Sequence, residues 1–323
     1  MDILSIISES LKDELATFNA LFAKAFESED KLLQTVCAHV HQRVGKQMRP
    51  VVVLLSARLC GGATNNTYEA AAAYEILHTG SLVHDDVVDN TMQRRGQESV
   101  NAIFNNQAAV LVGDYLLTKS MRFISNTRDL RLLDLLVRLG EEIARGELLQ
   151  LQHAYSIPTE EEYYEVIRHK TASLFAVCAK SGALTATDDV ESHERLEKFG
   201  ELLGLCFQIK DDIFDYTPSA KIGKPVMNDI REGKVTLPLL HALQQASEEE
   251  RNETMCLINS HNITDEVVGK VQALVERYDG IGYAVEQMNR LTQCAKEALE
   301  GFEDEVTKEM FIKLMEYVKD RKL

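Results

Sequence analysis

The sequence predicts an all-α protein, built as a single large helical bundle over residues 1–323. Three observations carry that expectation. Apolar residues recur at helical spacing, as in Leu132, Leu136, Leu139 and Ile143 and again in Phe302, Val306, Met310 and Leu314, the pattern of helices sharing a core. Prolines number only 5 and none lies between Val51 and Ile157, so long helices are allowed there. No convincing alternating, β-branched run bounded by turn residues occurs. The nearest, Val51–Leu55, leads into Ser56-Ala57-Arg58-Leu59 and reads as a buried helix ending at Gly61-Gly62.

In order, helices are expected over about Ile3–Glu27, Asp30–Val44, Pro50–Cys60, Thr67–Asp89, Asn105–Ser125, Asp129–Tyr155, Thr159–Ser181, Glu191–Tyr216, Leu237–Ala246, Asp265–Tyr278 and Ile281–Val318. Thr159-Glu160-Glu161-Glu162, after Pro158, supplies a threonine cap and acids in a first turn. Connections are short except for Thr217–Thr236. That stretch holds Pro218, Gly223, Pro225, Gly233 and three lysines, and reads either as a ligand-covering loop or as a surface connector.

A net charge of −16 argues against a nucleic-acid partner, because phosphate backbones are gripped by excess Lys and Arg. The six cysteines have no close pair, which fits reduced, mostly buried thiols and an intracellular, cytoplasmic chain. Met1-Asp2-Ile3-Leu4 carries acid and no basic region, so no signal or transit peptide is expected, and no apolar run reaches the ~18–20 residues that cross a bilayer. A lipid substrate stays compatible with this composition.

Two aspartate triplets share one pattern, Asp85-Asp86-x-x-Asp89 and Asp211-Asp212-x-x-Asp215. On a helix, positions i and i+4 share a face, so Asp85 with Asp89 and Asp211 with Asp215 form paired-carboxylate edges. The recurrence hints at pseudo-symmetry, although no solenoid-spaced repeat is present. Apolar neighbours flank both: Leu82, Val83, Val87 and Val88 at the first, Ile209, Ile213 and Phe214 at the second. Carboxylates so placed need a counter-charge, and a divalent cation is the natural one. Mg²⁺ binds through a few carboxylates, waters and substrate phosphates, so two clusters suggest a di- or triphosphate between them. Cationic residues then fall where that idea needs them: Lys46 and Arg49 in Gly45–Pro50, Arg94-Arg95-Gly96 after the first triplet, Lys170-Thr171 inside a helix, and Lys224 and Lys234 around the long connection. Singly, each is more often a solvated surface residue.

Together these motifs resemble the trans-isoprenyl diphosphate synthase family. Gly45-Lys46-x-x-Arg49-Pro50, both aspartate triplets, Arg94-Arg95-Gly96, Lys170-Thr171, Phe207-Gln208 and Gly223-Lys224…Asp229…Gly233-Lys234-x-Thr236-Leu237-Pro238 match in order from about residue 45 to 240. The resemblance implies the isoprenoid synthase type of helical bundle, with a central active-site cavity, and assigns roles. Mg²⁺, as several ions, would be held by Asp85, Asp86, Asp89, Asp211, Asp212 and Asp215. Isopentenyl diphosphate would lie against Lys46, Arg49, His78 and Arg95, and the allylic diphosphate against Arg94, Lys170, Gln208, Lys224 and Lys234. Two positions depart from the common pattern: Gln47 for a basic residue and Met227 for a glycine. The first is expected to weaken isopentenyl diphosphate binding slightly, and neither removes a metal ligand. A homodimer is implied, with transient membrane contact on product release.

In the implied reaction, breaking the allylic C–O bond yields a carbocation and diphosphate. Mg²⁺, Lys and Arg stabilise the charge as it develops. The isopentenyl double bond attacks, and a proton leaves to the departing diphosphate. Thr171 and Gln208 are candidate dipoles facing the cation, alongside Lys170 and Lys234 as catalytic residues; equally, Thr171 and Gln208 could be helix-packing polar groups. Product length is expected to be set before Asp85, where Gly80 and Ser81 stand in place of the aromatic plugs of short-chain relatives. Leu77 and Tyr74 are bulky and lie about 12 and 16 Å upstream by helix rise. With a floor from another helix, such as the Leu132–Ile143 stripe, the expected product is roughly C35–C50, octaprenyl foremost.

Other readings share some of these features. Terpene cyclases carry the first motif but lack Gly-Lys-x-x-Arg-Pro and alter the second triplet. His84-Asp85 with His39 or His41 would suit a His-Asp metal phosphohydrolase, while His78 and His84 can also be packed histidines. A short-chain synthase or a non-catalytic subunit of a heteromeric synthase would keep the fold.

Overall fold

The computed structural model describes residues 3–42, 45–94, 96–217 and 227–321. In chain order the helices are α1 (Ile3–Ser10), α2 (Lys12–Lys24), α3 (Lys31–His41), α4 (Met48–Leu59), α5 (Asn65–Val88), α6 (Val100–Phe104), α7 (Asn106–Thr127), α8 (Leu130–His153) and α9 (Glu160–Ile167). After a π-helical turn at Arg168–Ala172 come α10 (Ser173–Leu184), α11 (Val190–Asp215), α12 (Asn228–Arg231), α13 (Leu237–Gln245), α14 (Glu248–Asn259), α15 (Asp265–Arg277), α16 (Gly280–Ala298) and α17 (Glu305–Asp320). Among the described residues the only strands are β1 (Gln93–Arg94) and β2 (Gln97–Glu98), an antiparallel pair turning through Gly96 at φ +75°.

Capping chemistry sets several starts. The Asp30 carboxylate accepts from the amides of Leu32 and Leu33, while Thr64, Thr159 and Ser247 each close a reciprocal box with Thr67, Glu162 and Glu250. The run Val51–Leu55 is buried throughout and helical, as expected, and the chain leaves α4 through Gly61 and Gly62 at φ above +120°. Elsewhere the expectations need correction. Helix α14 is missing from them because only Thr254 and Ile258 are buried along it, too little for a stripe. The long C-terminal helix is two, α16 and α17. Asp304 accepts from the amides of Val306 and Thr307 and so sets the phase of α17: Thr307, Phe311, Leu314 and Val318 are buried, whereas Val306 is exposed. Burial also covers fewer thiols than expected, since Cys256 and Cys294 are exposed.

The chain divides into two compact units. Unit 1 comprises Met1–Arg138, Val177–Glu197 and Phe302–Phe311. Its axis is α5, which packs on α2, α4, α6 and α7 and buries Ala70, Ala71, Ala72, Ala73 and Tyr74 completely. The approach of α5 to α7 is close at two glycines. A Cβ on Gly80 would lie 3.2 Å from Leu116 Cβ and 3.3 Å from the Gly113 carbonyl; one on Gly113 would lie 2.1 Å from His84 Nε2. Unit 2 comprises Leu139–Ala176, Lys198–Gly301 and Ile312–Leu323. At its core α13 packs on α9, α15 and α16, with the His241 ring stacked on Tyr283 at 4.0 Å.

These contacts separate two substitutions. Gly80→Ala meets tight but displaceable contacts and gains about 1 kcal/mol of helix propensity, so its stability stays near wild type. Gly113→Ala must expel the His84 ring and costs about 2 kcal/mol or more. Urea unfolding of the two variants, compared by midpoint at constant slope, checks the order.

Candidate active site

In unit 1 the first triplet occupies the C-terminal turn of α5. Its members are not equivalent. Asp86 points inward and is 2% exposed, Asp85 is half-buried, and Asp89 is exposed at the helix cap. A buried carboxylate requires donors, and the β1–β2 hairpin delivers one: Arg94 Nε donates to Asp86 Oδ1 at 2.6 Å. Asn101 Nδ2 and the Thr91 amide both donate to the Asp86 carbonyl, tying hairpin and α6 to the triplet. Asp86 and Arg94 line a cleft of about 560 Å³ with Gly45, Glu75, His78 and Thr79, floored by Phe22, Phe26 and Val40. Lys46 is exposed and Arg49 half-buried on the turn leading into α4. Gln47 adopts φ +51° there, and its amide donates to Asn19 Oδ1 at 2.8 Å, so the departure from a basic residue tethers this turn to α2. Arg95 lies outside the described residues.

In unit 2 the second triplet ends α11 with the same division of labour. Asp212 is 3% exposed and accepts from Tyr163 Oη at 2.6 Å and Gln208 Nε2 at 2.9 Å; Gln208 Oε1 accepts from Thr171 Oγ1 at 2.8 Å. Asp211 faces Arg321, whose Nη2 lies 2.6 Å from Oδ1 and whose guanidinium sits over the Phe207 ring at 4.0 Å. Asp215 caps α12, accepting from the amides of Asn228 and Asp229. Met227, just before them, is fully buried at φ +65°, a conformation that explains a glycine at this place and that Met adopts only under strain.

Lys170 and Thr171 stand on the π-helical turn, not on the continuous helix expected from Thr159 to Ser181. The extra residue of a π turn pushes both side chains out of helical register. Two glycines permit it: a Cβ on Gly146 would lie 2.6 Å from the Lys170 amide nitrogen, and one on Gly204 would lie 2.5 Å from Ala172 Cα. Lys170 Nζ is held by Glu147 at 2.7 Å and Gln150 at 2.8 Å, and Lys234 pairs with Glu232. A cleft of about 690 Å³ gathers Lys170, Gln208, Asp212 and Lys234 with Tyr163 and Asp229. Lys224 and the rest of 218–226 lie outside the described residues.

Electrostatically the second cluster crowds buried carboxylates together. Burial pushes the Asp212 carboxyl up to about 7; hydrogen bonds from Tyr163 and Gln208 oppose this, and the charges of Asp211 and Asp215 add to it. Burial also carries Asp229 well above the usual carboxylate range, helped by Asp212 and Asp215. A divalent cation fits such hard, mutually repelling oxygens. Among the described residues no three His, Cys, Asp or Glu side chains converge as a protein-only metal cage, so an ion here would complete its shell with water and substrate oxygens.

Histidines resolve differently from the His-Asp reading. His84 Nε2 contacts the Val110 carbonyl at 3.0 Å, His39 Nε2 the Glu98 carbonyl at 3.0 Å, and His41 packs on Phe22 and Phe26. Only His78 lines the first cleft. Of the length residues, Tyr74 is buried with Oη 2.7 Å from Ser181 Oγ, Leu77 is buried, Gly80 faces α7, and Ser81 Oγ donates to the His78 carbonyl. Tyr163 and Arg321 escaped sequence reasoning. Tyr163 stands seven residues before Lys170, a helical repeat that could have flagged it; Arg321 gives no such signal.

The family model for polyprenyl synthetase matches residues 30–276. The chain belongs to that family. An octaprenyl diphosphate synthase of Haemophilus influenzae is 32% identical over 324 residues, 99% of this chain and 98% of that one. Among solved structures, a polyprenyl synthase from Caulobacter crescentus complexed with calcium and isoprenyl diphosphate superimposes with TM-score 0.93 at 31% identity, covering 99% of this chain and 98% of that one. A geranylgeranyl pyrophosphate synthase from Bacteroides thetaiotaomicron gives TM-score 0.86 at 38% identity, covering 99% and 100%. This synthetase family member is therefore a prenyltransferase that makes polyprenyl diphosphates, with the all-α isoprenoid synthase fold. No helix among the described residues is long and apolar enough to cross a membrane.

Two predictions follow from the buried aspartates. Arg94→Ala strands Asp86 and destabilises the protein by about 3 kcal/mol, the low end for a half-open buried pair, as read by denaturant unfolding. For Asp212 the folded-state affinity for a proton exceeds the unfolded one, so between pH about 4 and 7 the folded state binds more protons and stability falls as pH rises, levelling above 7. In metal-free buffer, Asp212→Asn flattens that slope in a thermal-melt series, with a midpoint gain of a few degrees at pH 8 over wild type.

Proposed function

We propose that this prenyltransferase condenses isopentenyl diphosphate with an allylic diphosphate, farnesyl or similar, in repeated all-trans 1'-4 steps. The product is a medium-to-long polyprenyl diphosphate, octaprenyl foremost. One observation carries the reading: in each unit the inward aspartate of a triplet and cationic side chains share a cleft, Asp86 with Arg94 in unit 1, Asp212 with Lys170 and Lys234 in unit 2. Such pairing suits a metal-bound diphosphate better than either charge alone.

Of the six carboxylates expected to hold Mg²⁺ we assign Asp85 and Asp89, with Asp211 and Asp215, to the ion, because Asp86 and Asp212 are buried and already bonded to Arg94 and to Tyr163 and Gln208. The calcium complex of the Caulobacter relative supports a divalent ion. Bound there, Mg²⁺ would neutralise the diphosphate leaving group. The remaining work belongs to side chains. Lys170, Lys234, Lys224 and Arg94 would neutralise the allylic diphosphate, and Lys46, Arg49, His78 and Arg95 would orient isopentenyl diphosphate. Apolar walls such as Phe22, Phe26 and Val40 in the first cleft keep water from the cation. The proton lost after condensation leaves to diphosphate.

Octaprenyl is supported by the Haemophilus relative and by the small side chain of Ser81, where short-chain relatives carry a plug, with Leu77 and Tyr74 as further walls; Gly80 is taken up by the contact with α7. The Bacteroides relative supports a shorter, geranylgeranyl product. We further assign the 323 residues to one catalytic domain acting as a cytoplasmic homodimer, supported by matches across 99% of the chain and by the exposed Leu111, Met121, Leu130, Leu133 and Val137. Transient contact of product with a membrane would accompany release.

Incubation of the purified chain with Mg²⁺, farnesyl diphosphate and labelled isopentenyl diphosphate, followed by chromatography, should give octaprenyl diphosphate. Geranylgeranyl diphosphate as final product would refute the length assignment, and no elongation would refute the reaction. Asp85→Ala and Asp211→Ala should each lower kcat by about 10³-fold or more with helicity unchanged by circular dichroism.

A further inference from the structure

Asp212 lies at the centre of a hydrogen-bond chain that runs in one direction. Its two oxygens receive Tyr163 O–H and Gln208 N–H, and the Gln208 carbonyl receives Thr171 O–H. Both Asp212 oxygens accept here, so the Gln208 amide turns its nitrogen toward Asp212 and its oxygen toward Thr171. The amide orientation is thus dictated by Asp212, and the Thr171 proton is committed in turn. What Thr171 can still offer is an oxygen lone pair, which suits an electron-poor centre and not a second acceptor.

Two groups hold this arrangement from behind. Asp212 is buried on α11, and Tyr163, 5% exposed on α9, closes its second oxygen. Lys170 leaves the same π-helical turn as Thr171, and Tyr163, Lys170, Gln208 and Asp212 all line the second cleft.

We propose that Tyr163 and Asp212 are positioning residues that lock the Gln208 amide, and through it the Thr171 hydroxyl, in the polarity that stabilises the allylic carbocation. Asp212 in this role is an anchor for dipoles. The proposal rests on the prenyl-transfer reading above.

Tyr163→Phe tests it, since the ring remains and one hydrogen bond goes. In the full-length protein with Mg²⁺ and both diphosphates, kcat should fall by about 10-fold while both KM values stay within about 2-fold, because the lost interaction acts in the transition state. Gln208→Leu breaks the same chain, so the double variant Tyr163→Phe/Gln208→Leu should be no slower than Gln208→Leu alone, within about 2-fold. A merely structural tyrosine would lower the thermal midpoint and multiply with Gln208→Leu. Should Tyr163→Phe fail to fold, Thr171→Val at the half-buried end of the chain takes its place in the same cycle. A wild-type kcat in the single variant, or losses that multiply in the double one, overturns the proposal. Wild type that makes no prenyl product overturns the underlying reaction as well, and so separates the two failures.

Discussion

Burying a carboxylate without partners costs several kcal/mol, and the cleft in each unit is arranged around that constraint. Each triplet sends its middle aspartate inward. Asp86 obliges the chain after α5 to turn back through a two-residue hairpin so that Arg94 can reach it, and Asp212 obliges α9 and α11 to present Tyr163 and Gln208. The outer members of the triplets, at i and i+4, are less buried, with Asp211 facing Arg321 and Asp215 capping α12. One pattern in the sequence therefore does two jobs: it fixes local structure through the second aspartate and, in the function proposed above, offers oxygens through the first and last.

Much of this was legible beforehand. The all-α class followed from proline scarcity and apolar periodicity, and the i, i+4 geometry of the triplets followed from helical spacing alone. Of the residues grouped by motif, Lys170, Gln208 and Lys234 share a cleft, as do His78 and Arg94, which the family pattern sets against different diphosphates. What stayed hidden depends on contacts between distant segments. Arg321 reaches Asp211 from the far end of the chain, and Tyr163 reaches Asp212 across 49 positions. The π-helical turn was equally invisible, because Gly146 and Gly204, which make room for it, carry no local signature of a neighbour. The phase of α17 failed over a smaller difference: the helix starts from the Asp304 cap and buries Thr307 and Phe311 in place of Val306 and Met310, keeping Leu314.

The two departures from the family pattern acquire physical content here. Gln47 exchanges a charge for a neutral amide that ties the turn to Asn19, trading long-range attraction for local fixity. Met227 keeps the left-handed backbone that a glycine would adopt freely, and its complete burial offsets part of the strain. Neither change replaces an aspartate, although the Met227 amide donates to the Asp215 carbonyl at 3.0 Å.

Gly80 lends itself to a different kind of reading. It has the position in sequence at which product length is expected to be controlled, yet its missing side chain is used against Leu116 and the Gly113 carbonyl of α7. A bulky residue engineered there would meet the neighbouring helix before it met a growing prenyl tail. Attempts to shorten the product at this position would act as a wedge, spreading two helices and shifting the aspartates at the end of one of them, so that selection for chain length would return variants with altered turnover.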